Sequence, residues 1–279
     1  KILRTPLIDT ITTEPLKYAS SKLLSLLAVC FSGFFIHGIL PDRTISVILV
    51  PVLKDKGGRI ASTDNYRNIA LASVLSKVLE TLSFSRLELY IFRNDNQFGF
   101  KAKHGTDMCI FALKEIIASY RKRNSSIFLC FLDASKAFDR VNHGLLFIKM
   151  SIMGILPYLI ILLIYWYGHQ TMRVKWGNCL SGTCHVGNGL RQGGILSPYL
   201  FNLYMDDLSV KLKNCGTGCF VCSTKVNHLM YADDLVNFSP STAGSQSLQN
   251  VCSQFDMDNV KCGINKTSKL QDNDVKYNA

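Results

Sequence analysis

No part of this sequence has the form of a secretion signal. Its start is cationic, but no apolar segment of suitable length with a small-residue cleavage site follows. The 10 cysteines fall into no regular framework, which argues against a disulfide-stapled secreted scaffold and for a reducing compartment. A clean membrane span is missing too. Residues 23–40 carry Ser32, Gly33, His37 and Gly38, and residues 152–167 are short and contain Pro157. Both stretches are read as buried helices. Negative charge is scarce: 20 acidic residues against 31 Lys and Arg leave a formal charge of +11, which suits a polyanionic partner. Basic residues gather at 54–59, 101–104 and 121–123, and contacts of this kind to phosphates weaken steeply with salt. With 279 residues, 48% of them hydrophobic, the chain can bury a core as one elaborate domain or two subdomains.

Against that basic background two adjacent acids stand out, in Tyr231-Ala232-Asp233-Asp234. Apolar runs flank them on both sides, so the segment reads as a β-hairpin with carboxylates at its tip. Neighbouring carboxylates repel and are costly to hold beside a packed sheet unless a cation lies between them. Hard cations such as Mg²⁺ choose carboxylate oxygens. A third acid, Asp133, ends the apolar run Ile127-Phe128-Leu129-Cys130-Phe131-Leu132, which suits a strand buried on both faces. Ser135 can cap a short helix after it. Two metals about 4 Å apart, held by shared carboxylates, are the arrangement for in-line phosphoryl transfer. Between the acids lies Gly187-Asn188-Gly189-Leu190-Arg191-Gln192-Gly193-Gly194-Ile195-Leu196-Ser197-Pro198. Its glycines let backbone approach a ligand. Ser197 and Pro198 start a helix whose apolar face continues through Leu200, Phe201, Tyr204 and Leu208.

These three segments, in this order, resemble motifs A, B and C of the reverse transcriptase domain of non-LTR (LINE-type) retrotransposons. Upstream, Ile48-Leu49-Val50-Pro51-Val52-Leu53-Lys54, Asp64-Asn65-Tyr66-Arg67-Asn68-Ile69-Ala70-Leu71, Lys77-Val78-Leu79-Glu80 and Gln97-Phe98-Gly99-Phe100-Lys101 are similar to the family's fingers motifs. The resemblance covers residues 40 to 240. It implies an α/β (α+β) right-hand polymerase fold with fingers and palm, the palm a small antiparallel sheet backed by helices. Residues 1–125 would be N-terminal helices and fingers. Residues 126–279 would be palm, with a fingers-related helical insertion at 144–180. Asp133, Asp233 and Asp234 would be the catalytic carboxylates and metal ligands, Asp133 and Asp233 the more direct ones, for two Mg²⁺ or Mn²⁺ ions. Ala134, Ser135, Gln192 and Gly193 would border the nucleotide. Lys54 and Arg67 would neutralise its triphosphate. Asn68 stands where the family usually has proline, which leaves the backbone there less restrained. Phe138 matches the aromatic gate that clashes with a ribose 2′-OH and so favours deoxynucleotides. Implied partners are an RNA template, a DNA primer and deoxynucleoside triphosphates, with no membrane, in nucleus and cytoplasm.

Two other patterns are set aside. Tyr204-Met205-Asp206-Asp207 copies the catalytic box of retroviral enzymes, but it follows the helix start at Ser197 so closely that it falls within a helix. Successive helical residues point about 100° apart, so these acids are read as solvated helix surface. Cys215, Cys219, Cys222 and His228 can be written as a zinc set, yet their spacing fits no common finger. Free thiols on a connector are the preferred reading.

Near the C-terminal end, Asn265-Lys266-Thr267-Ser268-Lys269 offers Lys266 or Lys269 as the motif D lysine that protonates departing pyrophosphate. Alternatively Val275-Lys276-Tyr277-Asn278-Ala279 opens motif D. No thumb and no endonuclease are expected. The functional expectation is an RNA-directed DNA polymerase that extends a primer 3′-OH; the alternative is a truncated, catalytically impaired relic that only binds nucleic acid.

Overall fold

The computed structural model describes residues 11–55, 57–90, 94–134, 136–258 and 262–270. The chain divides into two units, Lys1–Ile91 with Asn142–Leu200, and Phe92–Val141 with Phe201–Ala279. In chain order the first unit supplies α1 (Glu14–Lys17), α2 (Ser21–His37), α3 (Asp42–Ile45), β1 (Val47–Leu53), β2 (Tyr66–Ala72) and α4 (Val74–Leu87). The second supplies α5 (Thr106–Lys122) and β3 (Ile127–Ala134). The first resumes with α6 (His143–Ile152), α7 (Pro157–Gly168), β4 (Thr171–Trp176), β5 (Cys179–Leu180) and β6 (Cys184–His185). The division falls inside α8 (Ser197–Asn214), and the second unit continues with β7 (Cys219–Val221), β8 (Thr224–Val226), β9 (His228–Tyr231), β10 (Asp234–Ser239), α9 (Thr242–Asp258) and β11 (Cys262–Leu270).

The first unit is built on a mixed sheet in the order β2-β1-β4-β5, with β6 also on β4. β1 and β2 pair antiparallel, and β1 and β4 pair parallel. Of the two apolar stretches expected as buried helices, the second, 152–167, runs from the last residue of α6 through α7, with Pro157 at the start of α7, where no amide hydrogen is needed. Leu159, Leu162, Leu163 and Trp166 are fully covered there. The first, α2, is not a buried helix. Only Phe31 and Phe35 are buried, while Leu24, Leu26, Val29 and Ile36 are 52–76% exposed. The cause is geometric: α2 packs mainly on α7, which covers one stripe of a helix that is apolar nearly all round. No described helix is long and apolar enough to cross a membrane.

The second unit holds a four-stranded antiparallel sheet, β11-β3-β10-β9. Successive side chains alternate between its faces. On one face α5 lays Ile116, Ile117 and Tyr120 over Ile127, Leu129, Leu229, Val236 and Phe238. Each such side chain stabilises by about 1.5–3 kcal/mol when fully buried. On the other face the Asn237 side-chain amide reaches Cys252 Sγ of α9 at 3.2 Å, and Ser209 of α8 meets His228 Nε2 at 2.6 Å.

Candidate active site

The apolar run ending at Asp133 forms β3, and the two flanking runs form β9 and β10. In the register of β3 with β10, Asp133 lies directly opposite Asp234. Cross-strand partners have Cα atoms about 4.5–5.5 Å apart and side chains on one face, so residues a hundred positions apart in sequence bring two carboxylates side by side. Tyr231 and Asp234 close the hairpin around the two-residue turn Ala232-Asp233, which puts the third carboxylate at its tip. The register partner of Asp133 is thus Asp234, with Asp233 beyond it in the turn. The Asp234 carboxyl is raised above the ordinary carboxylate value, first by partial burial against the sheet and then by the charges of Asp233 and Asp133.

Three acids crowded in this way fit a divalent cation by their chemistry. Among the described residues, no three His, Cys, Asp or Glu side chains are arranged to hold an ion unaided. Mg²⁺ asks for less, because it keeps several waters and takes one or two carboxylates together with substrate phosphates.

The turn is held from behind by a residue with no obvious chemistry. Gln97 is 5% exposed. Its Oε1 accepts from the Ala232 amide at 3.0 Å and from the Gly99 amide at 2.8 Å, and its Nε2 donates to the Ala232 carbonyl at 3.2 Å. Its neighbours reinforce the contact: Met230 N–H donates to the Asn96 carbonyl and Phe98 N–H to the Met230 carbonyl, each at 2.8 Å. Ala232 has φ +57°, a conformation that costs a side-chain-bearing residue energy and persists only when its surroundings impose it. Gly99 is required by space, since a Cβ there would lie 2.1 Å from the Ala232 nitrogen.

Asp133 and Asp234 open onto a cavity of about 410 Å³ that is otherwise largely apolar. Thr106, Cys109, Ile110 and Leu113 of α5 form one wall; Phe131, Leu229, Tyr231 and Val236 of the sheet form the other. The Cys109 thiol is pushed up by burial and then by the charge of Asp234. Past Asp133, Ala134 is buried and Ser135 lies outside the described residues. The expected helix is a four-residue 3-10 turn, Ala137–Arg140. It sets Phe138 flat against Phe201, with centroids 4.5 Å apart and planes at 10°, and edge-on to Phe100 at 5.9 Å.

The remaining expected nucleotide contacts belong to the first unit. Arg67 is exposed on β2 opposite Val52. Lys54 Nζ donates to the Asp64 carbonyl at 3.0 Å. The Gln192 carbonyl accepts from the Ala70 amide at 2.8 Å, which lays the glycine-rich loop against β2. Gly193 has φ +99° there, a backbone open to glycine alone. Arg191 anchors the loop while itself 3% exposed. It donates from Nε to Gln170 Oε1 at 2.7 Å and from Nη2 to the Ile45 carbonyl at 3.1 Å, lies 3.5 Å from Glu80 and stacks over Trp166 at 5.0 Å. Glu80 also accepts from the Ile195 amide. Burial raises the Glu80 carboxyl, and the Arg191 charge opposes that rise.

Lys266 and Lys269 fall on β11, in register with Phe131 and Phe128. Residues 275–279 lie outside the described residues. Tyr204-Met205-Asp206-Asp207 lies within α8, as the spacing predicts. Its Tyr204 and Met205 are buried, and Asp206 is more than solvated surface: it accepts from Asn94 Nδ2 at 2.9 Å. Cys215, Cys219 and Cys222 are free thiols. His228 is bound instead to Ser209, Asn227 and Asn96, and burial pushes it down to about 3, so it is neutral.

Gln97, Gly99 and Glu80 carry roles that sequence reasoning did not assign. The available signal was slight: a glutamine and a glycine two apart, alternating with Phe98 and Phe100, which hints at a buried amide and a close backbone approach.

Comparison with known proteins identifies the family. Residues 53–277 match the family model for reverse transcriptase (RNA-dependent DNA polymerase). The RNA-directed DNA polymerase from mobile element jockey of Drosophila funebris is 26% identical over 92% of this chain and 28% of its own length. A Pol polyprotein from the type-1 retrotransposable element R2 of Popillia japonica is 30% identical over 72% of this chain and 28% of its own. The probable RNA-directed DNA polymerase from transposon BS of Drosophila melanogaster is 28% identical over 74% and 23%. The chain thus spans less than a third of the length of these curated relatives. Apo telomerase from Candida tropicalis, truncated from its C-terminal domain, shares the fold at TM-score 0.58 and 12% identity, over 92% of this chain and 56% of that one. The chain belongs to the reverse transcriptase family, related to the polymerases of non-LTR retrotransposons.

Proposed function

We propose that this chain is the fingers and palm of an RNA-directed DNA polymerase that adds deoxynucleotides to a primer 3′-OH on an RNA template. The observation that carries the reading is the pairing of Asp133 with Asp234 beside the Asp233 turn. In this reading residues 1–125 are N-terminal helices and fingers, and residues 126–279 are palm with a fingers-related helical insertion at 144–180.

Asp133, Asp233 and Asp234 would hold two Mg²⁺, or Mn²⁺ in their place. Bound there, the pair supplies a lowered pKa at the primer hydroxyl and charge neutralisation at the triphosphate. The chain's own part is positional. The carboxylates present acceptor oxygens on one sheet face, and Gln97 keeps their turn in place. The apolar walls of the adjoining cavity suit sugar and base and thin out the water near the reacting groups. Arg67 and Lys54 carry positive charge for phosphate oxygens, while Gln192 and Gly193 border the nucleotide. Phe138, braced by Phe100 and Phe201, fills the space a ribose 2′-OH needs. Lys266 or Lys269 would give a proton to departing pyrophosphate.

The basic balance of the chain, +11, supports a primer–template partner. The family resemblance supports a place in nucleus and cytoplasm. Primer extension on an RNA template tests the reading, with Asp233→Asn as the control. Magnesium-dependent incorporation that disappears in the control is expected. Incorporation no higher than in the control would leave a nucleic-acid-binding relic.

A further inference from the structure

Helix α2 buries one stripe against α7 and turns another to solvent. On that outer stripe Leu26, Val29 and Ile36 are 60%, 70% and 76% exposed. With Gly33 they recur at steps of three, four and three residues, the spacing of side chains that interlock with a second helix. The buried Phe31 and Phe35 lie on the opposite side of the helix. Exposed Ile39 and Ile161 prolong the apolar surface past the end of α2. They adjoin at Gly38, where a Cβ would lie 2.6 Å from Ile161 Cγ2. Gly33 is the odd member of the stripe. It sits in mid-helix, where glycine is the poorest choice after proline, and a Cβ there would meet nothing within 4 Å. No described residue crowds it, so its gap opens outward, between Val29 and Ile36.

The stripe is its own complement. Its steps read the same in reverse, so a second copy laid antiparallel sets Leu26 against Ile36 and Val29 against the gap at Gly33, twice over about a two-fold axis. Charge favours that direction. Lys22 is the only Lys, Arg, Asp or Glu in α2. Antiparallel packing keeps the two lysines a helix length apart and brings each to the carbonyl end of the other helix, where a cation is stabilised. Asp42 and Arg43, one of each sign, follow that end. A parallel pair would set the two lysines side by side.

We propose that α2 is an interaction surface for a second copy of this chain. The two copies form a two-fold dimer by antiparallel α2–α2 packing, with Val29 of each seated at Gly33 of the other. The surface uses none of the carboxylates, so the dimer forms whether or not the chain polymerises.

Sedimentation equilibrium of the full, nuclease-treated chain tests this. A monomer–dimer equilibrium at micromolar concentration is expected. It should persist in about 1 M salt, which screens charges beyond about 3 Å. Gly33→Leu fills the gap. In the single chain the new side chain meets open space, and leucine favours a helix over glycine, so the monomer keeps its fold and melts no lower than the parent. The dimer dissociation constant should nevertheless rise about tenfold or more. Val29→Glu, at a position open to solvent in the monomer, should act likewise by placing a charge inside the covered seam. A chain that stays monomeric up to tens of micromolar overturns the proposal, even if it then binds lipid vesicles through the same face. A dimer that nuclease or high salt dissolves overturns it too, because nucleic acid would be the link. So does a dimer that Gly33→Leu and Val29→Glu, both folded, leave unchanged.

Discussion

The side-chain amide of Gln97 both accepts from the Ala232 N–H and donates to the Ala232 carbonyl, so one residue clamps the turn between Tyr231 and the two acids from both ends of a single residue. Removing it leaves the turn's strained alanine unsupported and strands three hydrogen bonds. Misplacement of reacting groups by about 1 Å can cost about a hundredfold in rate. Gln97→Ala is therefore expected to lower primer extension about 10- to 100-fold and to raise the Mg²⁺ concentration for half-maximal activity. The nucleotide KM should change little, since Arg67 and Lys54 are untouched. Hydrogen exchange at the Ala232 amide, faster in the variant while the sheet core stays protected, identifies the cause as local. An unaltered exchange rate there would remove the clamp from the argument.

Asp234 gives a pH dependence whose sign can be worked out. Its folded carboxyl is raised by partial burial and by Asp233 and Asp133, so the folded chain holds that proton more tightly than the unfolded chain does. The stabilising contribution is complete below the unfolded carboxylate value of about 4 and is lost as pH rises through the folded value. At neutral pH without metal, the ionised acids therefore oppose folding. Asp234→Asn should raise the melting temperature in a chelating buffer at pH 7, and the gain should shrink when millimolar Mg²⁺ is added. Thermal melts with and without metal check this; a variant less stable than the parent in chelator would contradict it.

Gly99 offers a purely steric test. An added methyl would meet the Ala232 backbone nitrogen, which cannot rotate away. Gly99→Ala is expected to destabilise by about 1–3 kcal/mol, as overpacking does, and to lower activity further because the displaced atoms belong to the carboxylate turn. Urea denaturation measures the first effect and primer extension the second.

Local signals were readable where chemistry and periodicity coincide. The strand before Asp133, the hairpin around Asp233 and Asp234, and the helix that disqualifies Asp206 and Asp207 all follow from short-range pattern. What escaped depends on partners remote in sequence. The role of Gln97 rests on a contact 135 residues away, and the register that matches Asp133 with Asp234 is decided by whole strands. The exposure of α2 escaped for a related reason. Apolar composition says that a helix can be buried, and only the number of neighbours it meets says how much of it is. Glu80 and Arg191 were both visible in their motifs, but nothing in sequence announces that a loop arginine is 3% exposed and paired 111 positions back.

That buried pair makes the glycine-rich loop an energetic hinge point of the first unit. Loss of one partner from a buried ion pair leaves an uncompensated charge and costs about 3–5 kcal/mol. Glu80→Ala also strips the Ile195 amide of its acceptor, so it should sit at the upper end of that range, and Arg191→Met somewhat lower. The double variant should be more stable than the sum of the two losses predicts, by well over 1 kcal/mol, because the second substitution removes the charge the first one stranded. Denaturant titration of the four proteins closes the cycle. Strict additivity would mean that the two side chains do not depend on each other.

Phe138 is where selectivity can be read directly. Its ring cannot swing freely, because Phe201 lies flat beneath it and Phe100 stands edge-on beside it. A gate must be held rigid in this way, since a ring that moved aside would admit the larger sugar. If Phe138 excludes the 2′-OH, Phe138→Ala opens that space and should raise ribonucleotide incorporation relative to deoxynucleotide by about tenfold or more. Deoxynucleotide incorporation itself should fall less. Phe138→Tyr keeps the ring and should keep the discrimination. The measurement is the ratio of kcat/KM for the two sugars with one base. A ratio unmoved by Phe138→Ala would make this aromatic stack a packing feature of the second unit, and the selection of the sugar would have to lie with another residue.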